Sequence, residues 1–264
     1  MSEVSIIMPA YNSAAYITES IRSVLAQSYS NFELIIIDDC STDNTFQICN
    51  QFREIDKRVV VLKTSNNFGC PGGPRNLGIN YASSKWIAFL DSDDIWHHDK
   101  LKLQIDFLNR YESKFCSSEI VRFSDGHSPQ FDSNYVGCEV QQVSFISQLF
   151  NYQSSTSSVI VCSKIMKEHL FEDGIDFKAR EDIDCWLRIH QSVGYSIKIK
   201  FPLVGYRLTE NQISKFKLKM IPRTYYCFRR TRALKSKALG LLPAILTVSH
   251  FMTSAYKRFL KRSI

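Results

Sequence analysis

The sequence predicts an α/β protein: a mixed, mostly parallel sheet flanked by helices, followed by a basic, amphipathic helical tail. Three observations predict it. Four apolar runs, at 4–8, 32–37, 59–62 and 86–90, alternate with helix-period segments over about 95 residues, which is the pattern of βαβ units with right-handed crossovers. Polar residues gather where those runs end, at Tyr11-Asn12, Asp38-Asp39 and Asp91-Ser92-Asp93. Acidic residues stop altogether after residue 210.

The first run, 4–8, is a short strand ended by Pro9, which removes a backbone donor. Ile17, Ile21, Val24 and Leu25 then recur at helical spacing, in a helix expected from about Ser13. Residues 32–37 read as a second buried strand. Cap and turn chemistry at 40–45 leads into a helix carrying Phe46, Ile48, Cys49 and Phe52. Residues 59–62 are a third strand. The Gly- and Pro-rich stretch 65–74 reads as a loop, and Arg75-Asn76 opens the next helix. The run 86–90 is the fourth strand.

The second half is less regular. A helix is expected over 98–110, with Leu101, Ile105 and Leu108 on one face. Residues 119–123 and 158–162 are the best strand candidates between 113 and 162. An amphipathic helix opens at Arg180 with Ile183, Trp186, Leu187 and His190 on its buried side. Residues 195–200 and 203–208 read as two closing strands. Phe145, Phe150 and Tyr152 read as core or as the wall of a pocket. His97 and His98 read as surface residues at a helix start.

Composition sets limits. The 264 residues, 44% of them apolar, suit one large domain, or one domain and a tail. We expect a unit at 1–214, made of a half at 1–95 and a half at 96–214, and a tail at 215–264. Neither a secretory signal nor an uncharged stretch with the roughly 18–20 apolar residues a membrane span needs is apparent. The eight cysteines form no C-x-x-C pair, so free thiols in a reducing cytoplasm are expected rather than a zinc site.

Thirteen of the 33 basic side chains lie beyond residue 210, where no acid stands; the first 210 residues hold 20 basic and 26 acidic side chains. The basicity therefore belongs to the tail. A basic-aromatic stretch at 220–237, an apolar one at 238–252 and a basic end at 256–264 suit helices lying on an anionic membrane surface, the cytoplasmic inner face of the cell membrane. A helical tail packed on the domain is the alternative. No recognised nucleic-acid motif accompanies the charge, so nucleic acid is not an expected partner.

The carboxylates Asp91, Asp93 and Asp94 lie within four residues at the end of a buried strand. Such a cluster repels itself unless a cation joins it. Mg²⁺ or Mn²⁺ suits it, held by one or two carboxylates and completed by substrate phosphates. The ligand is then a metal-bridged nucleotide diphosphate at the carboxyl end of the sheet. Helix capping by Asp93 or Asp94 is the bland alternative.

Six strings carry a resemblance: Val-Ser-Ile-Ile-Met-Pro-Ala-Tyr-Asn at 4–12, Ile-Asp-Asp-Cys-Ser-Thr-Asp-Asn-Thr at 37–45, Pro-Arg-Asn-Leu-Gly at 74–78, Leu-Asp-Ser-Asp-Asp at 90–94, Arg-Glu-Asp-Ile-Asp-Cys-Trp at 180–186 and Tyr-Arg at 206–207. In this order the chain resembles the bacterial glycosyltransferases of family 2, inverting enzymes with the Rossmann-like GT-A fold. The resemblance runs from residue 4 to about 214.

It implies that Pro9 and Tyr11 line the nucleobase pocket. Asp39 accepts from the base, with Asp38 beside it. Asn67 and Arg75 lie near the ribose, diphosphate and sugar. Asp91 faces the ribose or sugar, Ser92 is part of the same turn of the nucleotide-sugar site, Asp93 binds Mn²⁺ or Mg²⁺, and Arg207 meets the diphosphate. Asp182 is the implied general base, with Glu181 as rival; an acidic first turn that merely suits the helix dipole is the structural alternative. Thr209 stands where the family often has His, so no metal ligand is expected from that segment. The implied partners are a UDP-hexose donor, such as UDP-glucose or UDP-galactose, and an undecaprenyl-diphosphate-linked saccharide of O-antigen or capsule synthesis. A polyprenyl-phosphate sugar synthase and a non-catalytic sugar-nucleotide binding module are the alternatives.

Overall fold

The computed structural model describes residues 2–132, 134–152, 154–209, 217–230 and 243–248. Its first half alternates as the sequence predicts: β1 (Val4–Ala10), α1 (Ile17–Leu25), β2 (Phe32–Asp38), α2 (Thr45–Ile55), β3 (Val59–Lys63), α3 (Gly72–Tyr81) and β4 (Trp86–Phe89). These strands pair in parallel in the order β3-β2-β1-β4. β1 and β4 are buried along their whole length, which is why they read as unbroken apolar runs.

The chain moves outward from β1 to β3 and then returns to β4 on the other side of β1. This is a topological switch point, where open α/β sheets bind ligands. Pro9 lies there. Pairing between β1 and β4 stops at Ile7 and Phe89. Alternation along the ladder turns the Pro9 nitrogen toward β4, beyond the last paired residues, so its missing N–H breaks no pair of the ladder.

The second half follows as β5 (Ile95–Trp96), α4 (Lys100–Arg110), β6 (Phe115–Ser124), β7 (Val140–Ser144), α5 (Phe145–Phe150), a 3-10 turn (Thr156–Ser158), β8 (Ile160–Cys162), α6 (Ser163–Glu168), a second 3-10 turn (Ile175–Phe177), α7 (Glu181–Val193), β9 (Tyr195–Leu208) and α8 (Lys217–Arg230). β8, β6, β9 and β5 extend the sheet beyond β4, and β7 pairs with β9. β8 runs antiparallel to β4 and β6, so the nine-stranded sheet is mixed.

Several boundaries differ from the sequence reading. The two closing strands are one, β9. Its register against β6 shifts on both sides of Glu119, which faces Pro202, and that irregularity accommodates a proline within a strand. The regular part of α1 starts at Ile17, but the Tyr16 and Ile17 amides already donate to the Ser13 carbonyl at 2.9 Å, so the first turn opens near Ser13, whose own amide donates to the Thr45 hydroxyl at 2.7 Å. α3 starts at Gly72, before Arg75. A Cβ on Gly73 would lie 2.1 Å from the Phe68 ring, and one on Gly78 would lie 2.8 Å from both Ile7 and Ile37. These glycines let α3 press on the loop and on the sheet. His97 is buried rather than a surface residue, edge-on to Phe131 and Phe201.

The sheet has an apolar core on each face. One is packed by α1, α2 and α4 around Ile6, Ile36, Ala88 and Leu101. The other is packed by α3, α6 and α7 around Ile7, Ile87, Phe89 and Trp186. A smaller cluster joins Leu149, Ile183 and Leu187 to Phe228 of α8 and to Leu246. All eight cysteines are free thiols. Among the described residues no helix is long and apolar enough to cross a membrane. The expectations for 231–242 and 249–264 in the tail lie outside the described residues.

Candidate active site

The carboxyl ends of β1, β2 and β4 bring the predicted polar groups to one edge. At β1, Tyr11 is half exposed beyond buried Pro9. Asn12 takes a left-handed φ of 47°, and its side-chain oxygen accepts from the Thr42 amide at 2.8 Å. At β2, Asp38 is buried, and its carboxylate accepts from the Ser41 amide at 3.3 Å. The Asp39 carboxylate accepts from the Phe68 amide at 3.1 Å and from the Thr64 hydroxyl at 3.0 Å. Burial raises the Asp39 carboxyl above its ordinary range. Asn67 donates to the Asp39 carbonyl at 2.7 Å, which ties the loop before α3 to the end of β2.

At β4 the acidic turn is held from three sides. The Ser92 hydroxyl bonds that of Ser13 at 2.7 Å, and Ser20 of α1 donates to the Ser92 carbonyl. The Ser157 hydroxyl accepts from the Asp91 amide at 3.1 Å and donates to Asp94 at 2.6 Å. From β9, the Arg207 amide donates to Asp94 at 3.1 Å and its guanidinium to the Asp93 carbonyl at 2.9 Å. The next helix begins at Lys100 after an Asp99 cap, so neither Asp93 nor Asp94 caps a helix.

Asp94 is buried and bonded within the protein. Burial, then the charges of Asp93 and Asp91, push its carboxyl well above the usual range. Burial and the neighbouring Asp91 push Asp93 up to about 6. That repulsion is a demand for positive charge. Arg207 answers part of it from below, but it is buried, paired with Glu19 and Asp125 and stacked on Tyr16 and Phe123. It supports the turn from beneath.

No group of three acidic, His or Cys side chains converges on one point among the described residues. The donor set is therefore hard, oxygen-only and incomplete. It fits Mn²⁺ or Mg²⁺ that takes Asp93 from the protein and the rest of its shell from a diphosphate and water.

α7 supplies the other side. The chain enters it through Ala179 at φ 61°, a left-handed non-glycine residue. Glu181 is 3% exposed and bonds the Arg75 guanidinium at 2.9 Å; the same guanidinium bonds Asp91 at 2.6 Å. Arg75 thus joins the end of β4 to the start of α7. Burial alone would lower its pKa, but Asp91 and Glu181 more than offset that and raise it. Burial and adjacent Asp182 push Glu181 up to about 7. Asp182 is only partly buried. Its Oδ2 accepts from the Tyr152 hydroxyl at 2.6 Å, and its Oδ1 from the Ile183 amide at 2.8 Å.

Residues 5–174 match the profile of glycosyl transferase family 2. The chain belongs to that family. It is a glycosyltransferase, and its sheet and helices have the GT-A fold. A Bacillus subtilis protein, TuaG, named for teichuronic acid biosynthesis, is 31% identical over 88% of this chain and 89% of its own. The Escherichia coli UDP-Glc:alpha-D-GlcNAc-diphosphoundecaprenol beta-1,3-glucosyltransferase WfgD is 34% identical over 84% of this chain and 83% of its own. The crystal structure of S. aureus TarS with UDP-GlcNAc matches in fold with a TM-score of 0.69 at 22% identity, over 88% of this chain and 68% of that one.

Sequence reasoning missed Ser13, Tyr152, Thr156 and Ser157 as parts of this candidate site. Only Tyr152 carried a signal, as an aromatic of an expected pocket wall. The serines and Thr156 stand in ordinary turn-like segments and show nothing at the level of sequence.

Proposed function

We propose that this glycosyltransferase transfers a hexose from UDP-glucose or UDP-galactose to an undecaprenyl-diphosphate-linked saccharide, with inversion, in the synthesis of a bacterial O-antigen or capsule. The observation that carries the reading is the placement of Asp182. It is the partly exposed carboxylate of the α7 start, while its rival Glu181 is buried and paired with Arg75. A base must reach the acceptor hydroxyl, and a buried carboxylate paired with Arg75 lacks that access.

The residues divide the work. Tyr11 and Asp39 hold the nucleobase, Asn67 and Asp91 the ribose and sugar. Asp93 holds Mn²⁺ or Mg²⁺, which supplies positive charge against the diphosphate when bound. Arg75, Ser92 and Arg207 keep that edge in shape. Asp182 takes the acceptor proton as the oxygen attacks the anomeric carbon from the face opposite UDP. One base with no covalent intermediate converts an α-linked donor into a β-glycoside.

The names of the relatives support the substrate classes: WfgD uses UDP-Glc and a diphosphoundecaprenol acceptor, and TuaG is named for teichuronic acid biosynthesis. A GT-A mannosyltransferase of Pyrobaculum calidifontis, with a TM-score of 0.66, holds GDP-Man and Mn²⁺. The basic tail would keep the enzyme at the inner face of the membrane, beside a lipid-linked acceptor.

The test is nucleotide release from a panel of UDP-, GDP- and dTDP-sugars with lipid-diphosphate saccharide acceptors. We expect acceptor-dependent UDP release that EDTA, Asp93→Ala and Asp182→Asn each abolish. Release that survives Asp182→Asn would move the base to Glu181. UDP-sugar binding without turnover on any acceptor would leave a binding module.

A further inference from the structure

Tyr152 stands outside every role assigned above, yet its hydroxyl donates to Oδ2 of Asp182 at 2.6 Å. Its ring packs against two apolar clusters, the α3–α6–α7 core and the small cluster that includes Leu149 and Phe228. The ring is therefore held, and with it the direction of the O–H. Thr156 donates to the same oxygen at a longer 3.4 Å. The residue after Thr156 is Ser157, which fixes the Asp91–Asp94 turn. One short stretch of chain thus reaches both the carboxylate that takes the proton and the turn that holds the metal.

We propose that Tyr152 is a positioning residue for Asp182, holding the carboxylate in one rotamer and in its ionised form, with Thr156 as a secondary donor. The proposal rests on Asp182 being the base. A hydrogen bond to an ionised carboxylate favours the charged state, and charge-assisted O–H···O⁻ bonds are short and strong. The phenol stays protonated throughout: burial and the Asp182 charge raise it well above its ordinary range. The other charged and titratable groups around Asp182 are Glu181 and Arg180 at its own helix start, Arg75 from α3, and the thiols of Cys185 and Cys227. Among these Tyr152 is the neutral donor, so removing its hydroxyl changes the base without changing the net charge.

The experiment compares wild type, Tyr152→Phe, Thr156→Val and Asp182→Asn as full-length proteins, with UDP-glucose, Mn²⁺ and a synthetic lipid-diphosphate saccharide. Phe keeps the ring and its packing. We expect Tyr152→Phe to lower kcat about tenfold, the loss of one hydrogen bond to a charged group. UDP affinity should stay within about twofold, since no nucleotide contact is removed. The acidic limb of the kcat/KM profile should move to higher pH, because the base loses a donor that favours its ionised form. Thr156→Val should move the limb the same way by less. A purely structural Tyr152 would lower Tm and leave the limb in place, which overturns the proposal. So does wild-type kcat in Tyr152→Phe when Asp182→Asn is inactive. Should Tyr152→Phe fold poorly, the limb in Thr156→Val decides alone. If Asp182→Asn turns over normally, or wild type shows no acceptor-dependent release, the base assignment falls and this proposal falls with it.

Discussion

Arg75 holds the two sides of the site together. Its guanidinium bonds Asp91 on one side and Glu181 on the other, and its side chain is almost wholly buried. The pair with Glu181 is itself buried, so removing the cation leaves a carboxylate without its countercharge. Arg75→Met should lower stability by about 3–5 kcal/mol at pH 9, where Glu181 is ionised. The loss should shrink toward pH 6, below the value of about 7 to which Glu181 is pushed even beside Arg75, because the protonated acid needs no countercharge; thermal unfolding at both pH values checks this. Arg75→Lys should restore only part of the stability, because one ammonium lacks the fork that reaches both carboxylates. The Pro-Arg-Asn string placed Arg75 near the diphosphate. In the structure both terminal nitrogens face carboxylates, and the residue shapes the donor edge through them.

α4 shows how an element can carry a penalty in order to close the sheet. Its first residue, Lys100, is fully buried. Its Nζ lies 3.9 Å from the Trp96 ring centroid and has no hydrogen-bond partner among the described residues. Burial pulls its pKa down to about 7. Between pH 7 and its ordinary value of 10.5, the unfolded chain binds more protons than the folded one, so stability rises with pH across that window. Below pH 7 the cost is at its fullest. Lys100→Met should therefore stabilise the protein by about 1–3 kcal/mol at pH 6, with the gain fading toward pH 10. Denaturant unfolding at several pH values measures the slope; an equal gain at all pH values would mean that packing, not charge, sets it. Trp96 in turn donates to the Ser157 carbonyl at 2.8 Å, so this end of α4 lies directly beneath the acidic turn.

At the scale of the whole molecule, α8, a described helix of the tail, has two faces. On α8, Thr224, Cys227 and Phe228 are buried against the domain, and Thr224 accepts from Arg180 at 2.6 Å, just before α7. Ile221, Tyr225 and Tyr226 remain exposed. Of the two alternatives raised by the sequence, packing on the domain is seen for one face of α8; we propose that the exposed face and the basic residues beyond 210 meet a membrane. The full-length protein should co-sediment with vesicles containing anionic phosphatidylglycerol and not with neutral phosphatidylcholine. Salt of about 0.5 M should release it, because a charged surface is screened within a few ångströms at that strength. Replacing Lys257, Arg258, Lys261 and Arg262 by Gln should weaken binding while leaving UDP-sugar turnover with a detergent-soluble acceptor unchanged. Vesicle binding indifferent to lipid charge would point to a tail that serves packing alone.

Local chemistry determined much of this protein. Strands buried on both faces must be apolar throughout, so β1, β2 and β4 were legible, and their polar ends marked the edge where Tyr11, Asp39 and Asp91 to Asp93 gather. Helical periodicity did the same for α4 and α7. Tertiary structure decided what depends on contacts distant in the chain. His97 looked like a surface residue until Phe131 and Phe201 closed over it. Asp94 looked like a cap until Ser157 and Arg207 took its oxygens. Glu181 and Asp182 are neighbours of similar chemistry; only Arg75, more than a hundred residues away, separates them by burying one and pairing it. Hydrogen bonds and ion pairs of that span leave no periodic trace in a sequence, because nothing in the spacing of residues records which side chains the folded sheet will bring together.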